Sequence, residues 1–291
     1  MFPFDIITKD IISVIYIINA YNMYCRTKII VFDVDETLGY FMELGMFWDA
    51  LTTYIKNYNI NIQVEQSLFN KLLDLYPEFL RPNILGILAY IKKKKQSDKC
   101  DKLMIYTNNQ GPPEWVNHIV GYFEDKLNYK IVDQVIAAFK IRGKRVELCR
   151  TTGSKTRGDL IKCTGVPESA HICFLDDVYY PDMAGDNIYY INTKPYVHDL
   201  KFETMIERFL DANICDYGDA TLCRTFLSEF LEKYHYIYVA KTNLAQEVDK
   251  TLSKKILMHL RVFFGNNDQK TRRHKVGPGL RTKRGKTRRQ Y

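Results

Sequence analysis

Three carboxylates lie close together in the segment KIIVFDVDETLGY, which runs from Lys28 to Tyr40. Asp33, Asp35 and Glu36 follow four apolar residues, IIVF, of the kind that forms a buried strand. Like charges at this spacing repel one another, so the cluster requires a partner that offsets the repulsion. Mg²⁺ prefers carboxylate, carbonyl and water oxygens, and it would neutralise these acids. The spacing therefore predicts a site for a hard divalent cation after this strand.

Polar side chains follow two further apolar runs in the same way. Thr107 and Asn108 follow LMIY, and Asp176 and Asp177 follow ICFL. One lysine, Lys155, lies in the loop TTGSKTRGDL, which precedes ICFL. Carboxylates, a hydroxyl and an ammonium group at one edge of a sheet would bind a metal ion together with a phosphate group.

Five short apolar runs alternate with helical patterns along the chain. The runs are IIVF, LMIY, QVIAAF, ICFL and IYYI, and the helical patterns include RPNILGILAYIKKKK and PPEWVNHIVGYFEDKL. Continuous apolar runs of this length suit strands that are buried on both faces. The alternation predicts an α/β fold with a parallel sheet flanked by helices. Ligands bind at the carboxyl ends of such strands, where the polar residues above are expected to meet.

These motifs resemble those of the haloacid dehalogenase (HAD) superfamily of phosphohydrolases. FDVDETL is similar to its DxDxT signature, LMIYT to its second motif, and ICFLDD to its fourth, and Lys155 lies where its third-motif lysine would be. The elements occur in the required order over about Ile29 to Asp182. DVDETL and LRP, Leu80 to Pro82, resemble the FCP/SCP group of NLI-interacting-factor-like phosphatases, which act on phosphoserine in proteins. The resemblance implies a HAD-like Rossmannoid sheet.

The resemblance assigns a catalytic role to each of four residues. Asp33 would be the nucleophile that forms an aspartyl-phosphate, and Asp35 would act first as general acid and then as base. Thr107 would hydrogen-bond a phosphoryl oxygen, and Lys155 would offset developing negative charge.

The resemblance also implies a set of Mg²⁺ ligands and two substrate-binding residues. Thr37 would help to hold the loop of the first motif, and Asn108 follows the second motif; both are predicted to bind substrate. The predicted metal ligands are Asp33, Asp35 (through its backbone carbonyl), Asp176 and Asp177.

Alternatives remain for some of these assignments. Thr107 could simply cap the following helix, and Asp182 could be either a further acid of the site or a turn residue. Lys155 is favoured as the lysine because it opens a helix-like stretch about 20 residues before the paired acids. Its competitors are Lys140, Lys144 and Lys162.

The chain divides into four predicted segments. Residues 1–27 form an N-terminal extension and residues 28–197 the catalytic core, with a small insert at about 39–77 after the first motif. A small insert would leave the site open to a macromolecule. Residues 198–265 form a helical extension, interpreted as a structural buttress with a docking module as the alternative, and residues 266–291 form a basic tail.

The net charge of +8 is concentrated in that tail. Residues 266–291 contain ten Lys or Arg and one acid, Asp268, which leaves the rest of the chain at −1. The segment from Lys270 to Arg289 is too hydrophilic to bury and predicts disorder when free. Such basic runs are typical of nuclear-targeting segments or of sequence-independent nucleic-acid binding.

Cysteine usage and hydropathy indicate an intracellular protein without a membrane anchor. The seven cysteines include no CxxC pair and no zinc-like spacing with His, which predicts reduced thiols and no His/Cys metal site. The uncharged stretch 11–25 is shorter than a membrane span and contains one Ser and two Asn. The expected location is cytoplasmic, or nuclear or virion-associated if the tail directs it there.

Three functions are compatible with these features. The leading hypothesis is a Mg²⁺-dependent phosphomonoesterase that acts on phosphoserine or phosphothreonine in a protein. TNNQG, Thr107 to Gly111, loosely resembles the TNQ of HAD polynucleotide and histidinol phosphatases, so a polynucleotide or nucleotide phosphatase is the alternative. The third hypothesis is a non-enzymatic nucleic-acid-binding protein in which the core is a scaffold for the basic tail.

Overall fold

A five-stranded parallel sheet organises the chain, in a computed structural model that describes residues 27–265. The strands of this part are β1 (Lys28–Phe32), β2 (Lys102–Tyr106), β3 (Gln134–Ile136), β4 (Lys140–Ile141), β5 (Lys144–Arg145), β6 (His171–Asp176) and β7 (Ile188–Asn192). The sheet has the order β3-β2-β1-β6-β7, and every neighbouring pair in it is parallel. β4 and β5 form a separate antiparallel hairpin.

Both faces of the sheet are buried because successive side chains of each strand point to opposite sides. In β1, Ile29 and Val31 belong to one apolar cluster, and Ile30 and Phe32 belong to the other. The same alternation holds along β2 and β6. Continuous apolar runs in the sequence are the consequence of this double burial.

Helices cover the two faces unequally. The helices of the described part are α1 (Met42–Asn57), α2 (Gln66–Asp74), α3 (Ile84–Gln96), α4 (Pro113–Leu127), α5 (Arg157–Thr164), α6 (Phe202–Ala212), α7 (Ala220–Glu232) and α8 (Asn243–Phe263). Only α5 among them contributes to the smaller cluster, through Leu160, and the other seven pack into the larger one. The prediction of an α/β fold with a parallel sheet flanked by helices is confirmed.

The two segments added to the core join the larger apolar cluster. The predicted insert at 39–77 contains α1 and α2, and both helices bury side chains there. Phe209, Leu227 and Leu260, from the three helices of residues 198–265, share that cluster with Leu103 of β2. This packing favours the buttress interpretation of the helical extension. The predicted tail, and the predicted N-terminal extension apart from Thr27, lie outside the described residues.

The prediction of reduced thiols is wrong for two cysteines. Cys149 and Cys163 form a disulfide with Cα atoms 5.0 Å apart. The chain turns back between β5 and α5, so residues 14 apart in sequence come together and enclose the loop that carries Lys155. The free thiols of the described part are Cys100, Cys173, Cys215 and Cys223.

None of the helices within residues 27–265 combines the length and the apolar composition needed to cross a bilayer. The uncharged stretch 11–25 lies outside this range.

The loop after β1 is held by a buried arginine from the LRP segment. The Arg81 side chain is 1% exposed and donates from Nε to the Thr37 carbonyl at 2.6 Å. Its Nη2 donates to the carbonyls of Glu36 at 2.5 Å and Lys194 at 3.0 Å. Glu36 has a φ of 56°, a left-handed conformation that is costly for a residue with a side chain. Arg81 therefore stabilises the loop in a shape that it would not adopt alone.

A buried carboxyl group at the start of α1 makes the stability of this fold depend on pH. Glu43 is fully buried, and burial raises its pKa from 4.5 to about 7. Because the folded pKa lies above the unfolded one, the neutral acid favours folding. This stabilisation is complete below about pH 4.5 and is lost as the pH rises through about 7.

Replacement of Glu43 by glutamine is expected to remove this pH dependence. At pH 8 the Glu43→Gln protein should be about 2 kcal/mol more stable to urea than the wild type, because no buried carboxylate has to ionise. At pH 4.5 the two proteins should differ little. Glu229→Gln, on the exposed face of α7, is the control and should leave the profile unchanged. Parallel profiles for Glu43→Gln and the wild type would contradict the role of this carboxyl group.

Candidate active site

Strand register brings the predicted site residues to one edge of the sheet. Phe32 of β1 pairs with Leu175 of β6 and with Ile105 of β2. Asp33 follows directly, and its N–H donates to the Leu175 carbonyl at 3.0 Å. The residues that come next along the three strands therefore emerge together at the carboxyl edge. They are Asp33, Asp176, Asp177, Thr107 and, from the neighbouring loop, Lys155.

Lys155 bridges two buried aspartates at this edge. Its Nζ lies 2.5 Å from Asp33 Oδ1 and 2.6 Å from Asp176 Oδ2, and its side chain is 1% exposed. The Tyr106 and Tyr180 rings lie 5.9 Å and 5.3 Å from the ammonium group. The competing lysines are all exposed: Lys140, Lys144 and Lys162.

The loop that presents Lys155 is fixed by a second buried arginine. Arg150 donates to the Thr107 and Ala137 carbonyls at 3.1 Å and 2.9 Å, and to the Gly153 and Ser154 carbonyls at 3.1 Å and 3.2 Å. It thereby ties the loop to the end of β2. Immediately after Lys155, Thr156 caps α5 by accepting from the Asp159 N–H. Sequence reasoning missed Arg150, because nothing in its neighbourhood marks a residue that binds distant carbonyl groups.

Burial and charge act against each other in this cluster. Burial raises the pKa of Asp33 and raises that of Asp176 to about 7, while the Lys155 ammonium acts to lower both. Burial acts to lower the pKa of Lys155, but Asp33 and Asp176 outweigh it and raise that pKa above its usual value. Lys155 is therefore charged near neutral pH, and the carboxylates around it require positive charge.

Three of the carboxyl groups lie close enough together to serve as ligands of one metal ion. Oxygens of Asp33, Asp176 and Asp177 lie within 4.8 Å of one another. Thr37, predicted to bind substrate, donates its hydroxyl to Asp177 Oδ1 at 3.1 Å and so orients that carboxylate. An all-oxygen, acidic donor set fits a hard cation such as Mg²⁺. The side chain of Asp35 is not part of this group.

The Asp35 carboxyl group instead lines a cavity beside the cluster. Burial raises its pKa to about 6, with Asn109 opposing the shift and Asp33 adding to it. Asn109 Nδ2 donates to Asp35 Oδ2 at 2.8 Å. The Asn109 side chain is itself oriented, because its Oδ1 accepts from the Gly111 N–H at 2.8 Å. Asn109 therefore positions the Asp35 carboxyl group.

Asn109 was not among the predicted site residues, whereas its neighbour Asn108 was. Asn108 also lines the cavity, and its Nδ2 donates to the Tyr180 hydroxyl at 3.1 Å. The repeated asparagine in TNNQG marks the region, but the turn geometry alone decides which of the two faces Asp35.

Two open alternatives are decided by the local geometry. The Thr107 hydroxyl accepts from the Asn109 N–H at 3.0 Å, and α4 begins only at Pro113, so Thr107 caps the turn rather than the helix. Asp182 is exposed in a short 3-10 helix, Pro181–Met183, and is a turn residue outside the acidic cluster.

Comparison with known proteins does not identify the function of this site, which is therefore inferred from its own side chains. No protein-family model, curated protein or solved structure matches the chain. The arrangement combines three clustered carboxyl groups, an ammonium group and a hydroxyl at one sheet edge, with the Asp35 carboxyl group beside them. Such a set can bind a phosphoryl group together with a cation and supply both a nucleophile and a proton donor.

Removal of the Asn109 amide is expected to change the ionisation of Asp35. In Asn109→Ala the carboxylate loses a donor that favours its charged form, so the pKa of Asp35 should rise above about 6, by about one further unit. Carboxyl-carbon NMR titration of the metal-free protein measures this shift. Asn108→Ala, which removes a donor to Tyr180 instead, is the matched control. An unshifted Asp35 in Asn109→Ala would show that the hydrogen bond does not act on it.

Loss of the Lys155 charge is expected to destabilise the fold in a pH-dependent manner. Lys155→Met leaves two buried carboxyl groups without a cation and should cost about 3 kcal/mol of unfolding free energy at pH 8. The cost should be smaller at pH 5, because protonation of Asp33 and Asp176 relieves their repulsion. Urea unfolding in EDTA measures both values, with Lys162→Met as the exposed control. An equal loss at the two pH values would indicate lost packing rather than lost charge.

Proposed function

We propose that the chain is a Mg²⁺-dependent phosphomonoesterase of HAD type that works through an aspartyl-phosphate intermediate. The observation that carries this proposal is the buried Lys155 bridge between Asp33 and Asp176, with Asp177 and Thr107 at the same sheet edge. A bridge between paired acids alone would be a costly way to stabilise a fold. The buried charges of Lys155 and the aspartates are explained if the site holds a cation and a phosphoryl group.

In the first step, Asp33 attacks phosphorus and the phosphoester bond to the leaving oxygen breaks. Lys155 holds Oδ1 of Asp33, so Oδ2 is the oxygen expected to form the new bond. Asp35 gives its proton to the leaving oxygen, and its raised pKa of about 6 keeps part of it protonated near neutral pH. The products are a free alcohol and phosphorylated Asp33.

In the second step, Asp35 takes a proton from water while the water oxygen attacks phosphorus. The bond between phosphorus and Asp33 breaks, inorganic phosphate leaves, and both carboxyl groups return to their starting states. The Thr107 hydroxyl accepts from the Asn109 N–H and can therefore direct its own hydrogen to a phosphoryl oxygen. Lys155 offsets the charge that develops on the phosphoryl oxygens.

Asp33, Asp176 and Asp177 would hold Mg²⁺, with the Asp35 carbonyl as the predicted fourth protein ligand. When bound, the ion would supply positive charge beside the phosphoryl oxygens.

We propose a phosphoserine or phosphothreonine side chain of a protein as the substrate, as in the FCP/SCP group. A cavity of about 960 Å³ opens beside Asp35, at the upper end of the range for small-molecule pockets. Met42, one of its lining residues, is 51% exposed, so the cavity reaches solvent. An open cavity of this size favours a group presented by a macromolecule over an enclosed metabolite.

Phosphate release from p-nitrophenyl phosphate tests the proposed chemistry. The wild type should turn over with Mg²⁺ and stop in EDTA, and Asp33→Asn should lose roughly 10³-fold or more of the turnover, because it lacks the nucleophile. Glu229→Gln is the control for preparation and folding. Substantial turnover by Asp33→Asn would refute the mechanism. A wild type inactive toward this ester, phosphopeptides and a 3′-phosphorylated oligonucleotide would shift the function to the nucleic-acid-binding hypothesis.

A further inference from the structure

The cavity beside Asp35 is longer than an isolated phosphate ester requires. It extends along α1 from Met42 to Thr52, both of which line it, and across to the start of α4. Ten residues of helix correspond to about 15 Å. An extended peptide covers this length with four or five residues. The cavity is therefore long enough for the chain on one side of a phosphorylated residue.

The walls of the cavity are acidic. Besides Asp35, its lining includes Glu36, Asp49 and Glu114, against one cation among the described residues, Arg142. His118 adds little positive charge near neutral pH, because burial lowers its pKa. Asp49 and Glu114 are exposed to solvent. A polyanion that entered the cavity would meet like charge along its path.

Aromatic side chains lie among these acids. Those of Tyr40, Trp48, Trp115 and Tyr234 line the cavity, and the Tyr234 hydroxyl donates to Asp49 Oδ2 at 2.9 Å. Aromatic faces attract cations, and carboxylates pair with them. A lysine or arginine side chain matches both features, because an apolar stem carries its charged group. Aromatic rings and acids together are thus complementary to a basic side chain.

We propose that this cavity binds the polypeptide next to the phosphorylated residue and selects a lysine or arginine within about five positions of it. The inference rests on the proposed function and names the substrate class of the same site. It also opposes the polynucleotide alternative, since a nucleic acid brings a phosphate charge with every nucleotide. The acids that make the selection are Asp49 and Glu114, which reach solvent and are outside the metal-binding group.

A panel of phosphorylated substrates tests the selection in the full chain with Mg²⁺. It contains three phosphoserine peptides that differ only in flanking residues (basic, neutral or acidic), a 3′-phosphorylated oligonucleotide, and p-nitrophenyl phosphate. The basic peptide should exceed the neutral one in kcat/KM by about five-fold for each charge pair that forms. The acidic peptide and the oligonucleotide should fall below the neutral peptide. The preference should weaken at high salt.

Variants of two cavity-lining acids test whether the cavity causes the preference for the basic peptide. Asp49→Asn and Glu114→Gln should each reduce the ratio of kcat/KM for the basic and neutral peptides several-fold, and Glu114→Lys should favour the acidic peptide. Glu229→Gln, an acid on α7 that does not line the cavity, should keep the wild-type ratio. Because the wild-type panel stands by itself, a variant that fails to fold does not remove the test.

The outcomes separate this inference from the proposed function. Turnover of p-nitrophenyl phosphate without a preference among the peptides overturns the inference alone. Preference for the oligonucleotide also overturns it and assigns the site to nucleic acid. Faster turnover of every peptide after removal of residues 266–291 would indicate that the basic segment of the chain itself occupies the cavity. That result would overturn the assignment of the cavity to substrate. A complete lack of turnover overturns the proposed function, and the inference with it.

Discussion

The contact of Lys155 with Asp33 and Asp176 is the interaction on which the rest of the site depends. Two parallel strands, β1 and β6, place carboxyl groups at one edge, where burial makes their charges costly, and the buried ammonium group of Lys155 offsets them. Arg150, the α5 cap and the Cys149–Cys163 disulfide all serve to bring that ammonium group to its position. Much of the chain between β3 and β6 therefore helps to position one ammonium group, that of Lys155.

The sequence was sufficient to predict the sheet and the residues at its edge, because both depend on local patterns. Apolar runs predict strands, and the residue after each run emerges at the carboxyl edge; this places Asp33, Thr107 and Asp176 together. The pattern overestimates the third strand: QVIAAF predicts six residues, but the strand ends at Ile136. The chain then leaves the sheet and forms the β4–β5 hairpin, which the apolar pattern of the sequence does not predict.

The supporting residues could not be predicted in this way, because their roles depend on contacts between distant segments. Arg81 and Arg150 bind backbone carbonyls, and a carbonyl group carries no sequence signal. Asn109 differs from Asn108 only in the direction that one turn gives its side chain. The disulfide depends on the path of the loop between β5 and α5, which the spacing of the cysteines does not reveal.

The arginine clamp on the loop after β1 has a consequence for the order in which this protein assembles. The three carbonyls that Arg81 binds lie 44, 45 and 113 residues away along the chain. Contacts of such sequence separation form late, because the intervening chain must first be organised. During synthesis the DVDET segment leaves the ribosome long before Lys194. The loop that follows Asp33 therefore reaches its final form only after most of the core has been made.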